Sequence, residues 1–292
     1  MRRFARFACI DWSGARTAWQ RGIAVAVCYA NDAAPRLVSP PDRAWSREAV
    51  LAWLLDNADA DMLIGVDFSA SLPFSDEGAF FPGHAESPAD ARALWRFVDA
   101  RSALDPHLAA TSFVSDPALA GYFRVGTATG ARFASRDPLR RNGRLRRVEA
   151  HVASGRPTSS FNLVGAAQVG LSSLTGMRVL NRLAGHIAIW PFDPVPLRGA
   201  VLVELYTSIA AAAAGRPLGA TKMKTIEALN AALTSDAIAS ARYPGAGAID
   251  DHSSDALLTA AWLRRAAGRA ALWSPQDLDA VRDAEGWTFG VP

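Results

Sequence analysis

Five acidic residues occur in a pattern that could support metal-assisted chemistry. Asp11 and Asp67 each end an apolar stretch typical of a β-strand, and Glu204 lies within a third such stretch. Asp251 and Asp255 are four residues apart, so they share one face if their segment is helical. Carboxylates gathered in one place repel one another unless a cation lies between them. Hard oxygen ligands of this kind suit Mg²⁺ or Mn²⁺.

Each of these acids also has a structural explanation that the sequence leaves open. Asp11 could simply start a turn, and a half-exposed glutamate such as Glu204 is common in strands. Acids at the start of a helix, such as Asp251 and Asp255, complement the helix dipole. Asp67 is harder to explain in this way, because a charge at the end of a buried apolar run is costly without a partner.

The elements that would position these acids follow from hydrophobic periodicity. The pattern predicts strands at 4–12, 22–29, 36–39, 61–68, 187–190 and 200–206, a last edge strand at 286–291, and helices at 46–57, 89–100, 222–233 and 253–267. Strand ends of an α/β sheet face a common crevice, so Asp11 and Asp67 meet if their strands are neighbours. Residues 74–185 interrupt the pattern with loops and helical pieces. We therefore expect one α/β domain over 1–292 with an insertion at 74–185.

Several short motifs occur in a recognisable order along the chain. They are IDWSG at 10–14, GVDFSASLP at 65–73, VELY at 203–206, DDHSSDAL at 250–257 and EGWTFGV at 285–291. This ordered set resembles the signature blocks of the bacterial domain-of-unknown-function group four twenty-nine, a family of predicted nucleases. The chain departs from the family pattern at Thr207, where members often have a proline.

The resemblance implies a fold and a function. The fold is a ribonuclease-H-like mixed sheet flanked by helices, with a helical and loop insertion after the fourth strand. The function is metal-dependent phosphodiester hydrolysis, with two Mg²⁺ or Mn²⁺ ions held by the set Asp11, Asp67, Asp251 and Asp255. The same resemblance makes Asp11, Asp67, Glu204 and Asp255 the expected catalytic residues, with Glu204 completing the site or orienting water.

Basic charge is concentrated in one segment. Eight arginines lie between positions 124 and 147 against a single acid, whereas the whole chain carries a net charge of only +3. Such a cluster suits contacts with the phosphate backbone of DNA or RNA, although a solvated loop is the alternative. The residues that we expect to bind nucleic acid are Arg132, Arg136, Arg140, Arg141, Arg144, Arg146 and Arg147.

Composition excludes several other classes of protein. The chain has 292 residues, of which 50% are hydrophobic and 20% charged, so it is neither a disordered chain nor a collagen-like one. No stretch approaches the roughly 20 apolar residues of a membrane span. The two cysteines, Cys9 and Cys28, form no CxxC motif, and we expect a cytoplasmic protein.

Two further functions compete with the nuclease hypothesis. An actin-like ATPase or phosphotransferase has the same strand order, but it needs a glycine-rich adenosine loop where this chain has the acidic motif at 250–255. A non-catalytic nucleic-acid-binding module would use the arginines alone, and its salt-sensitive binding would survive the loss of every carboxylate. Fold analogy supports all three functions equally, so the site must decide.

Overall fold

The computed structural model describes residues 2–31, 33–134, 143–151, 158–164, 169–217 and 222–292. Within them the architecture is mixed α/β. In chain order the elements are β1 (Arg6–Asp11), β2 (Ala24–Tyr29), β3 (Arg36–Leu37), α1 (Arg47–Asp56), β4 (Met62–Val66), α2 (Ala91–Arg101), α3 (Thr111–Ser115), β5 (Arg124–Val125), β6 (Ala128–Thr129), α4 (Val169–Leu183), β7 (Ala188–Trp190), β8 (Val201–Glu204), α5 (Thr207–Ala213), α6 (Ile226–Leu233), α7 (Asp251–Ala266) and α8 (Leu278–Val281).

A six-stranded mixed sheet in the order β3-β2-β1-β4-β8-β7 organises the protein. β1, β2 and β3 pair antiparallel, whereas β1, β4, β8 and β7 run parallel to one another. The predicted α/β class with a mixed sheet flanked by helices is confirmed. β5 and β6 form a separate two-stranded hairpin.

The central strand β4 is buried along its whole length. Its continuous apolar sequence matches a parallel strand that is covered on both faces. Gly65 in this strand permits a close approach, since an added methyl group would lie 2.0 Å from Leu205 and 3.0 Å from Leu263 of α7. The glycine therefore lets α7 lie directly against the sheet.

Helices cover both faces of the sheet and form two hydrophobic cores. Residues of α1, α2 and α4 pack with Ile10, Ile64 and Leu202 on one face. Residues of α6 and α7 pack with Cys9 and Val203 on the other. This alternation along the strands follows from the period of two in β-structure, and it assigns every strand side chain to one of the two layers.

The predicted insertion at 74–185 lies between β4 and β7 and supplies part of the first core. It contains α2, α3, the β5–β6 hairpin and α4. Trp95 of α2 donates a hydrogen bond from its indole to the Ala70 carbonyl at 2.7 Å, which ties α2 to the chain that follows β4. Arg178 of α4 pairs with Asp99 of α2 at 2.8 Å. The first contact joins the insertion to the chain just after β4, and the second joins two helices of the insertion to each other.

One predicted element is wrong, and several are shorter than predicted. Residues 286–291 do not form an edge strand, because Gly286 and Gly290 have φ values of 65° and 107° that interrupt an extended chain. The helix predicted at 222–233 begins only at Ile226, where the Thr225 side chain accepts the Ala228 amide hydrogen bond. Within the described ranges, no helix has both the length and the apolar character that a membrane crossing requires.

Candidate functional site

Two of the predicted acids lie side by side at the carboxyl end of the sheet. Asp11 is the last residue of β1, and Asp67 directly follows β4. These neighbouring strands are parallel with Ile10 level with Val66, and the Asp67 amide donates to the Ile10 carbonyl at 3.0 Å. Residues at equal levels of parallel strands point to the same face, so both carboxylates lie on the face that α7 covers.

The N-terminal end of α7 brings a third carboxylate to the same place. The helix starts at Asp251, and the side chain of Asp250 caps it by accepting the Ser253 amide at 2.8 Å. α7 packs on β1 and β2, which places its first turns over the end of β1. Asp255 is only 7% exposed there, and its negative charge raises the pKa values of both Asp11 and Asp67.

A lysine completes the cluster from a distant part of the chain. The Lys222 ammonium group donates a hydrogen bond to Asp255. The hydroxyl of Ser254 donates to the Met223 carbonyl at 2.8 Å and thereby fixes the segment before α6 against α7. Burial alone would lower the pKa of Lys222, but the bond to Asp255 and the charges of Asp11 and Asp67 raise it. Lys222 is therefore a cation held among three carboxylates.

His252 pairs with the first of these acids. Its Nδ1 lies 2.9 Å from Asp11 Oδ2, and this hydrogen bond raises the imidazole pKa above its usual value. The nearby charge of Asp251 acts in the same direction. Burial raises the pKa of Asp11, although the bond to His252 opposes that shift. The pair therefore shares a proton more readily than either group would in water.

The surroundings of Asp67 strongly raise the pKa of its carboxyl group. The residue is half-buried, and the surrounding protein together with the charge of Asp11 raises the pKa of its carboxyl to about 8. The Thr207 hydroxyl donates to Asp67 Oδ2 at 3.0 Å, which partly offsets this rise. A pKa displaced by both burial and neighbouring charge is typical of functional sites.

The arrangement of these acids differs from that of a formed metal site. Within the part of the chain that the structure describes, no group of three or more histidine, cysteine, aspartate or glutamate side chains has a geometry that would hold a metal ion. The donor set itself nevertheless suits a hard divalent cation, because Asp11, Asp67 and Asp255 lie close enough to act electrostatically on one another and on the Lys222 ammonium group. Asp251 lies half-buried at the rim.

Glu204 is separated from these acids by the register of its strand. β4 and β8 run parallel with Val66 level with Glu204, one position before Asp67. Successive residues of a strand point to opposite faces, so Glu204 points away from the face that carries Asp67. Its carboxylate accepts hydrogen bonds from Arg146 at 2.5 and 2.8 Å and from the Ala70 amide at 2.7 Å. The structure thus places Glu204 apart from the predicted site.

Two arginines of the predicted nucleic-acid-binding cluster are buried. Arg144 is 2% exposed and donates to Asp76 at 2.6 Å. Arg146 is inaccessible, and it pairs with Glu204 and with Glu149 at 3.1 Å. A phosphate group cannot reach guanidinium groups enclosed in this way. The expectation that these two arginines contact nucleic acid is therefore wrong. Arg146 joins the insertion to β8 through Glu204, whereas Arg144 joins two segments of the insertion through Asp76.

Two further arginines of the cluster lie on the surface. Arg132 is exposed and donates to the Tyr122 hydroxyl at 2.7 Å. Arg147 is exposed and pairs with Asp277 at 3.4 Å. Contacts of these two side chains with nucleic acid stay a prediction. The remaining members lie outside the described residues, and they are Arg136, Arg140 and Arg141.

The sequence analysis did not assign Lys222 to the site. Its position carries no motif, and the contact with Asp255 depends on how the segment before α6 packs on α7. One signal was present, since 29 of the 31 basic residues are arginine and only Lys222 and Lys224 are lysine. The lysine ammonium group is a compact point charge, unlike the planar guanidinium of arginine, but composition alone does not separate Lys222 from Lys224.

Comparison with known proteins adds no assignment to this site. A scan against models of protein families, a search of curated proteins and a search of solved structures each found no match. The function therefore has to be argued from the residues of the cluster itself.

Proposed function

We propose that this chain is a metal-dependent phosphodiester hydrolase that acts on nucleic acid. The observation that carries the proposal is the convergence of Asp11, Asp67 and Asp255 from two parallel strands and one helix, with the pKa of Asp67 raised to about 8. Carboxyl groups that are brought together and whose pKa values are raised by burial and by one another are more frequent at functional sites than elsewhere. The sequence motifs that contain these three acids support the same function.

The ribonuclease-H-like form of the sheet is part of this proposal. Three antiparallel strands, β3, β2 and β1, lead into the parallel strands β4 and β8, and this order agrees with the fold that the sequence motifs imply. β7 extends the sheet at the edge beyond β8. The candidate site lies at the carboxyl ends of the central parallel strands, which is where ligands of α/β sheets bind.

The proposed ligands of a Mg²⁺ or Mn²⁺ ion are Asp11, Asp67 and Asp255, with Asp251 at the rim. A bound divalent cation would make an attacking water more acidic and would stabilise the leaving oxygen of a phosphodiester. The protein contributes the positions of the carboxylates. It also contributes the imidazole of His252, whose raised pKa favours a proton at Nδ1 facing Asp11.

Lys222 has a distinct part in this proposal. Its ammonium group neutralises Asp255 in the structure, and a divalent cation would compete with it for the same carboxylate. The side chain is 56% exposed, so it can move into solvent without unfolding its surroundings. Lys222 would thus stabilise the cluster until a metal ion binds.

The test is a cleavage assay on labelled single- and double-stranded DNA and RNA with Mg²⁺, Mn²⁺ or EDTA. We expect cleavage that requires the metal and is lost in Asp11→Asn and Asp67→Asn. The matched control is Asp59→Asn, which alters an exposed acid before β4, at the other end of the sheet. Absence of metal-dependent cleavage in the wild type would contradict the proposal, and tight ATP binding in its place would favour an actin-like phosphotransferase.

The same proposal includes a cytoplasmic location. Cys9 and Cys28 are both buried in the core of the sheet, where a reducing compartment would keep them as thiols. Burial and the charge of Asp11 raise the pKa of the Cys9 thiol, which makes that thiol unreactive.

A further inference from the structure

A cleft opens beside the acidic cluster, between the loop that follows β1 and the loop that precedes α1. It has a volume of about 830 Å³ and is lined by residues that include Ser13, Thr17, Trp19, Arg21 and Arg43. Pockets that hold small organic ligands usually measure about 300–1,000 Å³. The cleft is therefore large enough for a molecule that combines an aromatic ring with a charged group.

The walls of this cleft are fixed by buried polar side chains. Arg47 is inaccessible, and its guanidinium donates to the carbonyl of Ser13 at 3.1 Å and to that of Ala15. The Gln20 side chain donates to the Ala15 carbonyl at 3.2 Å, and the Gln20 backbone amide joins the two loops by donating to Trp45 at 2.7 Å. A loop held by this many hydrogen bonds keeps its shape before a ligand arrives, which lowers the cost of binding.

The lining residues suit a base and a phosphate. Trp19 is half-buried, and the Arg43 guanidinium lies 5.1 Å from the centre of its ring. Arg21 and Arg43 are exposed and positively charged. Nucleic-acid bases stack on aromatic rings and guanidinium planes, while arginine pairs with phosphate oxygens. One nucleotide unit would satisfy both features together.

The cleft adjoins the acidic cluster directly. A methyl group added at Gly22 in its wall would lie 3.3 Å from the Ser13 side chain and 3.4 Å from the His252 ring. His252 in turn is hydrogen-bonded to Asp11. The wall of the cleft at Gly22 therefore lies against the His252 ring, so that a ligand in the cleft is separated from Asp11 by the His252 side chain.

We propose that this cleft binds one nucleotide unit, with the base stacked on Trp19 beside Arg43 and the phosphate paired with Arg21 or Arg43. The inference deepens the proposed function, because it names the part of the substrate that is held next to the cleaved bond. Single-stranded DNA, single-stranded RNA and a free nucleotide all offer this chemistry, and the experiment separates them.

Binding is measured in EDTA, so that it depends on neither metal nor cleavage. The probes are adenosine monophosphate, a short oligodeoxyadenylate, a short oligoriboadenylate and inorganic phosphate, titrated by calorimetry into the whole protein. We expect Trp19→Leu to weaken binding of the three adenylate probes by about 5- to 100-fold, since stacking of a base on an aromatic ring is worth about 1–3 kcal/mol. Trp19→Phe keeps a ring at this position and should restore most of the affinity.

Two matched controls keep the test specific. Trp53→Leu removes a half-buried tryptophan of α1 outside the cleft lining, and Arg269→Gln removes an exposed arginine beyond the far end of α7. Both should bind the probes as the wild type does, whereas Arg43→Gln should weaken binding and reduce its dependence on salt. Thermal unfolding of each variant establishes that it is folded.

Specific outcomes would overturn the inference. Wild-type affinity in Trp19→Leu would do so, and so would a wild-type protein that binds inorganic phosphate as tightly as the adenylates. The two proposals can fail separately. If nucleotides bind in a Trp19-dependent way but no nucleic acid is cleaved in the presence of metal, the proposed hydrolase function is refuted and the nucleotide-binding cleft is not. Tighter binding of the oligonucleotides than of adenosine monophosphate would identify a nucleic-acid strand as the ligand, and the opposite order would identify a free nucleotide.

Discussion

Asp67 directly follows β4, whereas Glu204 is the last residue of the neighbouring parallel strand β8, and their side chains point to opposite faces of the sheet. The sheet therefore separates two concentrations of charge. On one face, Asp67 joins Asp11 and Asp255, and burial together with the charges of these two neighbours raises the pKa of Asp67. On the other, Glu204 pairs with Arg146 in an enclosed ion pair. The first arrangement serves chemistry in our account, and the second holds the insertion in place.

The stability of the protein should depend on pH through Asp67. Its carboxyl has a pKa of about 8 in the folded state, against about 3.9 in an unfolded chain. Between these values the folded state binds more protons than the unfolded state, so stability falls as pH rises from about 4 to about 8. Asparagine does not ionise, and Asp67→Asn should therefore unfold at a higher temperature than the wild type at pH 8.

Each 1 kcal/mol of this gain should raise the Tm by about 2–4 °C in a protein of this size. It should shrink at pH 5, where the carboxyl is protonated in the folded wild type. Circular dichroism melts at both pH values measure the difference, with Asp59→Asn as the control. An equal difference at pH 5 and pH 8 would show that ionisation of Asp67 is not its cause.

Breaking the buried ion pair should be costly for the fold. Glu204→Gln removes a carboxylate that accepts two hydrogen bonds from the enclosed Arg146 guanidinium and leaves this guanidinium paired with Glu149, and losing one partner of a buried pair costs about 3–5 kcal/mol. The control is Glu86→Gln, because the pair of Glu86 with Arg101 lies at the surface and its loss should cost at most about 1 kcal/mol. Urea unfolding gives both values. A loss in Glu204→Gln as small as that in Glu86→Gln would refute the structural role of this pair.

Removing the lysine from the cluster should favour metal binding. Lys222→Met takes away a cation that occupies Asp255 and repels a second one. We expect Mn²⁺ to bind Lys222→Met about three- to tenfold more tightly than the wild type, a change of about 0.7–1.4 kcal/mol. Lys224→Met is the matched control, since Lys224 is the other lysine and is exposed two residues away. Equal Mn²⁺ affinity in Lys222→Met and Lys224→Met would contradict competition at Asp255.

The sequence was sufficient to predict the positions of the site residues that lie at the ends of strands. β1 and β4 have unambiguous apolar patterns, and each ends in an aspartate, so their parallel pairing brings Asp11 and Asp67 together. The helical spacing that places Asp255 one turn after Asp251 was equally visible. In these cases the residues that form the local sequence pattern also determine where the acidic side chains lie in the fold.

Other features depend on contacts that no local pattern encodes. The face occupied by Glu204 is set by the register of β8 against β4, and a shift of one residue would reverse it. The burial of Arg144 and Arg146 depends on Asp76 and Glu204, which lie far away in the sequence. Lys222 reaches Asp255 through the packing of one loop on α7. The sequence shows that these charged residues are present, but it does not show which residues they pair with.

The central claim is that Asp11, Asp67 and Asp255 hold a divalent cation. The most direct measurement is a crystal structure grown with Mn²⁺, with anomalous scattering data collected to locate the ion. Our account predicts an anomalous peak among these three carboxylates, with the Lys222 ammonium group displaced from Asp255. A map without Mn²⁺ at this cluster, and with Lys222 still bound to Asp255, would contradict it.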